Sequence, residues 1–263
     1  MTSRGAESLD AHVRLLARAP ILLVASDFDG TLAPIVSTPS EARPIPRAVG
    51  ALERLARLPD THVAIVSGRS LDDLADLVTI DARVERLGSH GLEFDAEGAL
   101  GLDTKAHGRL RRLSADLTDL AAGVPGAVVE HKPYSVAFHV RNADPQLAQP
   151  ALRHIVDAIA ARDGVWCKPG HEVVELLVLP ASKSWALDAL RARHPGAVVL
   201  YVGDDATDED VFADLRPGDL GCKVGAGPTR APYRVDGPED VADLLEALVV
   251  HRARVHEPEE QWV

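Results

Sequence analysis

Asp27 and Asp29 stand two residues apart in the run Asp27-Phe28-Asp29-Gly30-Thr31-Leu32, so their carboxylates can share one small site. Gly30 permits a tight turn and close backbone approach there. An Asp-x-Asp pair alone reads as an acidic loop. This one follows directly on the apolar run Ile21–Ser26, ILLVAS, and ligands of open α/β sheets bind beyond the carboxyl ends of the strands. A second acidic run, Gly203-Asp204-Asp205-Ala206-Thr207-Asp208-Glu209-Asp210, follows the apolar Val198–Val202 and puts five carboxylates into seven residues. Unpaired, they would repel one another and take raised pKa values. A bound Mg²⁺ offsets that repulsion, because it prefers carboxylate oxygens. A helix N-terminus would account for Asp208, Glu209 and Asp210, but less well for Asp204 and Asp205, which fall before the helix.

Two weaker signals accompany these. Ser67-Gly68-Arg69 also ends an apolar run and precedes a helix. A hydroxyl and backbone N–H groups at such a place can hold a phosphate, although alone the motif reads as a helix cap. Lys183 opens a helix after Leu179-Pro180-Ala181-Ser182. A lysine there runs against the helix dipole, so a partner anion would make sense of it.

The elements around these residues follow from periodicity. Glu7–Ala19 has helical spacing and stops at Pro20; Pro46–Leu58 has it too and stops at Pro59. His62–Ser67 is a second apolar strand, and Ser70 with Asp73 reads as a capping box for a helix over Leu71–Val78. Arg83–Leu87 is a short strand leading into Gly88-Ser89-His90-Gly91. Later come a helix over Ser182–His194, the strand Val198–Val202, a helix over Asp208–Leu215, the strand Leu220–Val224 and a helix over Pro238–His251, then a loosely ordered tail. Alternation of continuous apolar strands with helices predicts a doubly wound α/β fold with a mainly parallel sheet.

The middle of the chain has another rhythm. A helix over His107–Ala122 precedes the strand-like runs Ala127–Glu130 and Ser135–Arg141. Asp144-Pro145 caps and opens a helix to about Arg162, and Val165–Lys168 and Glu172–Leu179 are two more strands. This predicts a small α+β cap domain over residues 106–180, inserted into a core made of 1–105 and 181–263.

Bulk properties narrow the function. Composition is that of a globular protein, with 46% hydrophobic and 26% charged residues. Two cysteines, Cys167 and Cys222, make no disulfide framework, which points to the cytoplasm. No apolar run is long enough for a signal peptide or membrane span. The net charge of −12 argues against nucleic acid as a partner. It also means that a site for an anionic substrate has to be made locally positive. No histidine spacing suggests zinc, and nothing sets the oligomeric state.

Taken in order, the four signals resemble the four motifs of haloacid dehalogenase-type (HAD-like) phosphatases. The resemblance implies that Asp27 is the nucleophile toward phosphorus. Asp29 would be the general acid and then the general base. Ser67, Gly68, Arg69 and Lys183 would surround the transferring phosphoryl group. Mg²⁺ would be held by the Asp27 carboxylate, the Asp29 backbone carbonyl and Asp204, with Asp205 or Asp208 nearby. Within that group the chain is similar to trehalose-6-phosphate phosphatases, on four further stretches. These are Gly88-Ser89-His90-Gly91-Leu92-Glu93, Glu130-His131-Lys132, His139-Val140-Arg141 and Glu172-Val173-Val174-Glu175. That makes a small-molecule sugar phosphate the expected substrate, with His90, Glu93, Glu130, Lys132, Arg141 and Glu175 as candidates for binding it. One departure is Ser184, where the family has glycine after the lysine. Other readings remain: a phosphatase for sucrose phosphate or a phosphoglycerate glycoside, a phosphoryl-transferring mutase, or an idle binding or regulatory module.

Overall fold

The computed structural model describes residues 3–95, 98–99, 102–170 and 172–256. The chain divides into two compact units, one of Met1–Gly98 with Ser182–Val263 and one of Ala99–Ala181.

The first unit is built on parallel strands β1 (Leu22–Ser26), β2 (Thr61–Val66) and β3 (Val84–Gly88), with the two-residue strands β4 (Glu93–Phe94) and β5 (Gly98–Ala99) beyond them. Of its helices, α1 (Ser3–Leu16) precedes β1, α2 (Pro46–Leu55) links β1 to β2, and α3 (Leu71–Leu77) links β2 to β3. Burial explains the unbroken apolar runs. In β1, Leu22 and Val24 enter one core while Leu23 and Ala25 enter the other, so no position can be polar without a partner. Ser70 caps α3 as its spacing predicts, accepting a hydrogen bond from the Asp73 N–H at 3.1 Å.

The second unit starts with α4 (Thr104–Ala122), followed by β6 (Val128–His131) and β7 (Ser135–His139). Next come α5 (Pro145–His154), prolonged by a π turn over Ile155–Ile159, then β8 (Trp166–Gly170) and β9 (Val173–Leu177). Its four strands form an antiparallel sheet in the order β6-β7-β9-β8. One sheet face packs Val136, Phe138, Val174 and Leu176 against Leu113 and Leu117 of α4 and Ala148 and Ala151 of α5.

The chain then returns to the first unit with α6 (Lys183–Arg193), β10 (Val198–Gly203), α7 (Asp208–Ala213), β11 (Leu220–Val224), β12 (Tyr233–Val235) and α8 (Pro238–His256). The large sheet runs β12-β11-β10-β1-β2-β3-β4-β5. Helices α1, α2, α3 and α8 cover one face, and α6 and α7 the other. Strand order therefore reverses between β1 and β10, which is where open α/β sheets bind their ligands. One helix end and one strand differ from the sequence expectation. The helix over Pro238–His251 continues to His256, because Arg252 in its last turns is fully buried rather than solvated. The remainder of the expected loose tail lies outside the described residues. The short strand β12 was not anticipated, three residues being too few to show a period.

Candidate active site

Register fixes the two acidic runs beside each other. Ser26 pairs with Val202 across β1 and β10, and the Asp27 N–H donates to the Val202 carbonyl at 2.9 Å. Asp27 therefore leaves β1 where Asp204 leaves β10. Asp27, Asp204 and Asp208 each offer an oxygen within 4.8 Å of the others. Gly30 makes this approach possible. Its φ is +75°, and a Cβ there would lie 2.0 Å from Asp204 Oδ2. Gly203 does the same for Asp208, whose Cγ would be 2.2 Å from an added Cβ.

Lys183, fully enclosed at the first turn of α6, reaches Asp27 Oδ1 at 2.7 Å and Asp208 Oδ1 at 2.9 Å. Its cationic form is stabilised: burial acts against it, but Asp208 and Asp27 outweigh burial and raise its pKa well above the ordinary value. Ser182 holds that helix start by accepting from the Trp185 N–H at 3.0 Å. Asp208 is a fully buried junction. Its Oδ1 also accepts from the Tyr201 hydroxyl at 2.7 Å, and its Oδ2 accepts from the backbone N–H groups of Asp204 and Asp205 at 2.9 and 3.0 Å. Four donors on one carboxylate make it the strut that shapes the loop. Asp205 is half-exposed and turns its Oδ1 to Thr207, 2.7 Å from both the backbone N and the hydroxyl. Of the two alternatives for supporting a cation, the structure gathers Asp208 with Asp27 and Asp204.

The cluster carries more negative than positive charge. Asp27, Asp204, Asp205 and Asp208 face Lys183 and Lys223, whose Nζ donates to the Asp204 backbone carbonyl. Burial first, and then repulsion from Asp208, Asp204 and Asp205, outweigh the attraction of Lys183 and hold the Asp27 carboxyl well above its ordinary range. Burial followed by repulsion from Asp205 and Asp208 pushes Asp204 up to about 6. Two surplus carboxylates at the tips of adjoining strands, with raised pKa values, fit a divalent oxygen-loving cation.

Ser67, Gly68 and Arg69 lie between β2 and α3. Ser67 is buried at the end of β2, and its Oγ accepts from the Arg69 N–H at 3.1 Å. The Arg69 side chain clamps Asp29: Nε lies 2.6 Å from Oδ2 and Nη2 lies 2.7 Å from Oδ1. A planar guanidinium matches a carboxylate fork at short range, which is why the pair forms. Gly68 is required by His90, whose ring atoms would lie 2.7 and 2.8 Å from a Cβ there. His90 is buried in the left-handed region (φ +56°), and its N–H donates to the Ser67 carbonyl at 2.9 Å. Glu93, a substrate-binding candidate, is buried in the frame of the site: it accepts from the Ser89 hydroxyl and the Leu71 N–H. Ser184, the departure from the family pattern, donates its hydroxyl to Asp214 and so ties α6 to the end of α7.

In the second unit Glu130, Lys132 and Glu175 gather on the sheet face opposite the helices. Cross-strand pairing aligns Glu130, Ala137, Glu175 and Lys168 in one row over β6, β7, β9 and β8. Lys132 Nζ lies 3.4 Å from Glu175 and 3.9 Å from Glu130, and His139 Nε2 lies 2.8 Å from Glu130. Burial acts to raise the Glu130 pKa, but the His139 hydrogen bond and Lys132 hold it below the ordinary value. Arg141 stands apart, 3.6 Å from Glu172. Sequence reasoning missed Lys168, Tyr201 and Lys223. Lys223 alone left a trace, as a charge inside the otherwise apolar strand β11.

Comparison with known sequences decides the family. The trehalose-phosphatase profile matches residues 25–239. The chain belongs to the trehalose-phosphatase family. A trehalose-phosphate phosphatase of Mycolicibacterium paratuberculosis is 36% identical over 251 residues, covering 84% of this chain and 60% of that protein. The chain thus spans about 60% of the length of these curated relatives. Among solved structures, a protein described as related to trehalose-6-phosphate phosphatase superposes with a TM-score of 0.74 at 25% identity, over 88% of this chain and 99% of that one. A haloacid dehalogenase-like hydrolase of Bacteroides thetaiotaomicron, 14% identical, shares the fold with a TM-score of 0.61 over 86% of this chain and 98% of its own. The fold of this chain is thus HAD-like: a mainly parallel sheet between helices, with a separate antiparallel sheet inserted.

Proposed function

We propose that this chain hydrolyses trehalose 6-phosphate to trehalose and phosphate, as a magnesium-dependent enzyme acting through an aspartyl-phosphate on Asp27. Family membership supports the substrate. The observation that carries the chemistry is the meeting of Asp27, Asp204 and Lys183 at adjoining strand tips. An Asp27 carboxylate oxygen attacks phosphorus as the bond to the sugar oxygen breaks. Asp29 gives its proton to that oxygen, and trehalose leaves. Asp29 then takes a proton from water, which attacks phosphorus, releases phosphate and restores Asp27. Ser67 and Lys183 bind the phosphoryl oxygens and stabilise their charge in both steps. Asp27, Asp204 and the Asp29 backbone carbonyl would hold Mg²⁺, which would supply positive charge that keeps Asp27 ionised beside an anionic substrate. Glu130, Lys132, Arg141 and Glu175 recognise sugar hydroxyls, for which a row of charged donors and acceptors is suited. Cys167 and Cys222 are both free thiols, in keeping with a reducing cytoplasm.

The test is a panel of sugar phosphates assayed for phosphate release with Mg²⁺ and with EDTA. Trehalose 6-phosphate is expected to turn over fastest, chelation to stop the reaction, and added Mg²⁺ to restore it. Asp27→Asn should lower turnover at least about a thousandfold with the fold retained. Faster hydrolysis of sucrose phosphate would move the substrate assignment, and an active Asp27→Asn variant would remove the covalent intermediate.

A further inference from the structure

Arg69 has a motif position that suggests a phosphate ligand, but its side chain is committed elsewhere. Both fork nitrogens meet both oxygens of Asp29, and Nη2 also donates to the Pro39 carbonyl at 2.9 Å. The guanidinium lies 5.8 Å from the centre of the Phe28 ring, within cation–π range. Its backbone is anchored as well: the N–H donates to Ser67 Oγ, and the carbonyl accepts from the Ser89 N–H at 2.6 Å. Asp29 has a firm backbone of its own, bridged to Ala33 beside the 2.7 Å bond from the Gly30 N–H to the Ala33 carbonyl. Its side chain is a third exposed. Without the fork, that carboxylate would spread over several rotamers in solvent.

We propose that Arg69 is a positioning residue for Asp29: its rigid guanidinium fixes the orientation of the carboxylate that exchanges protons with the leaving oxygen and with water. The proposal rests on the reading of Asp29 as acid and base given above. Arg69 then acts on the reaction through Asp29 and not through phosphate. Misplacing a reacting group by about 1 Å costs on the order of 100-fold, so an unheld Asp29 should slow only those steps that need its proton.

Leaving-group dependence separates the two roles. The leaving group of trehalose 6-phosphate departs as an alcohol and needs the proton, whereas that of p-nitrophenyl phosphate departs as a stable anion and does not. Arg69→Met should lower kcat/KM on trehalose 6-phosphate roughly 10- to 100-fold and change kcat/KM for p-nitrophenyl phosphate by less than about threefold, because kcat/KM stops at departure of the leaving group; kcat falls for both esters, since the water step that follows needs Asp29 in either case. The retained aryl-ester kcat/KM also reports that the variant is folded. Asp29→Asn should show the same selectivity, and the double variant should be no slower than Asp29→Asn alone, because the arginine has nothing left to position. Arg69→Lys keeps the charge without the fork and should lie between Arg69→Met and the unaltered protein on the sugar ester; it also serves if Arg69→Met does not fold. Equal losses of kcat/KM on both esters, with a raised KM for each and effects that multiply with Asp29→Asn, would make Arg69 a phosphate ligand and overturn the proposal. So would an Arg69→Met variant that hydrolyses trehalose 6-phosphate at the unaltered rate. An Asp29→Asn variant that loses kcat/KM equally on both esters would instead sink the acid–base reading itself, a pattern distinct from either.

Discussion

Gly30 carries as much of the site as any charged group, because it is what Asp204 stands against. Its left-handed φ of +75° is one constraint, and the 2.0 Å between an added Cβ and Asp204 Oδ2 is the stricter one. Gly30→Ala should therefore push Asp204 out of the cluster while leaving Asp27 on Lys183. The expected result is a roughly tenfold or greater rise in the Mg²⁺ concentration needed for half-maximal activity, a size typical of losing support around a metal. Titrating activity against Mg²⁺ measures it, and an unchanged half-saturation would show that Asp204 does not need this approach. Such residues were legible in the sequence to different degrees. Asp27 and Asp204 announce themselves because each ends an apolar strand, and Lys183 because it opposes a helix dipole. The fork of Arg69 on Asp29 was not legible, since it joins residues 40 apart in sequence and depends on how two loops meet. Tyr201 was hidden for another reason: in an apolar strand it reads as core, and only the buried Asp208 beside it turns its hydroxyl into a strut.

Elements obey the same logic at longer range. The strands β1, β2, β10 and β11 were visible because both sheet faces are covered, which forces unbroken apolar runs. The antiparallel unit showed itself by strand pairs separated by turn residues. The end of α8 was misread because Arg252, His251 and Arg254 look like a solvated tail. Arg252 is instead fully buried and donates to the carbonyls of Ala17, Ala19, Pro59 and Asp60 and to the Thr61 hydroxyl. It pins α8 to the loops that enter β1 and β2. Periodicity cannot show this, because the partners are backbone carbonyls and carry no sequence signal. Arg252→Met would leave those carbonyls buried without a donor, at about 1–3 kcal/mol for each that water cannot reach. A loss of roughly 3–5 kcal/mol is expected, or a fall in Tm of about 10 °C for a chain of this size. Chemical denaturation and thermal melting both read it, and a variant as stable as the parent would mean that solvent reaches the cage.

For the molecule as a whole, the net charge of −12 is an obstacle that the site answers locally. Without a cation, Asp27 and Asp204 resist ionisation in the folded state more than in the unfolded one, with Asp204 pushed up to about 6. A carboxyl whose folded pKa is raised binds more protons folded than unfolded. It therefore contributes stability that is complete below its unfolded pKa and lost as pH rises through the folded one. Metal reverses the sign, because its ligands must be deprotonated and it binds the folded form. The stabilisation conferred by Mg²⁺ should accordingly be large at about pH 7.5 and shrink as pH falls through about 6. At Mg²⁺ near 100 times its dissociation constant the gain is about 2.7 kcal/mol, or roughly 5–10 °C in Tm. Melting curves with Mg²⁺ and with EDTA at about pH 7.5 and about pH 5 test this. The two curves should separate at the higher pH and converge at the lower one, and Asp204→Asn should bring them together at both. Equal separation at the two pH values would mean that protons and metal do not compete, and that the carboxylates between β1 and β10 are not where Mg²⁺ binds.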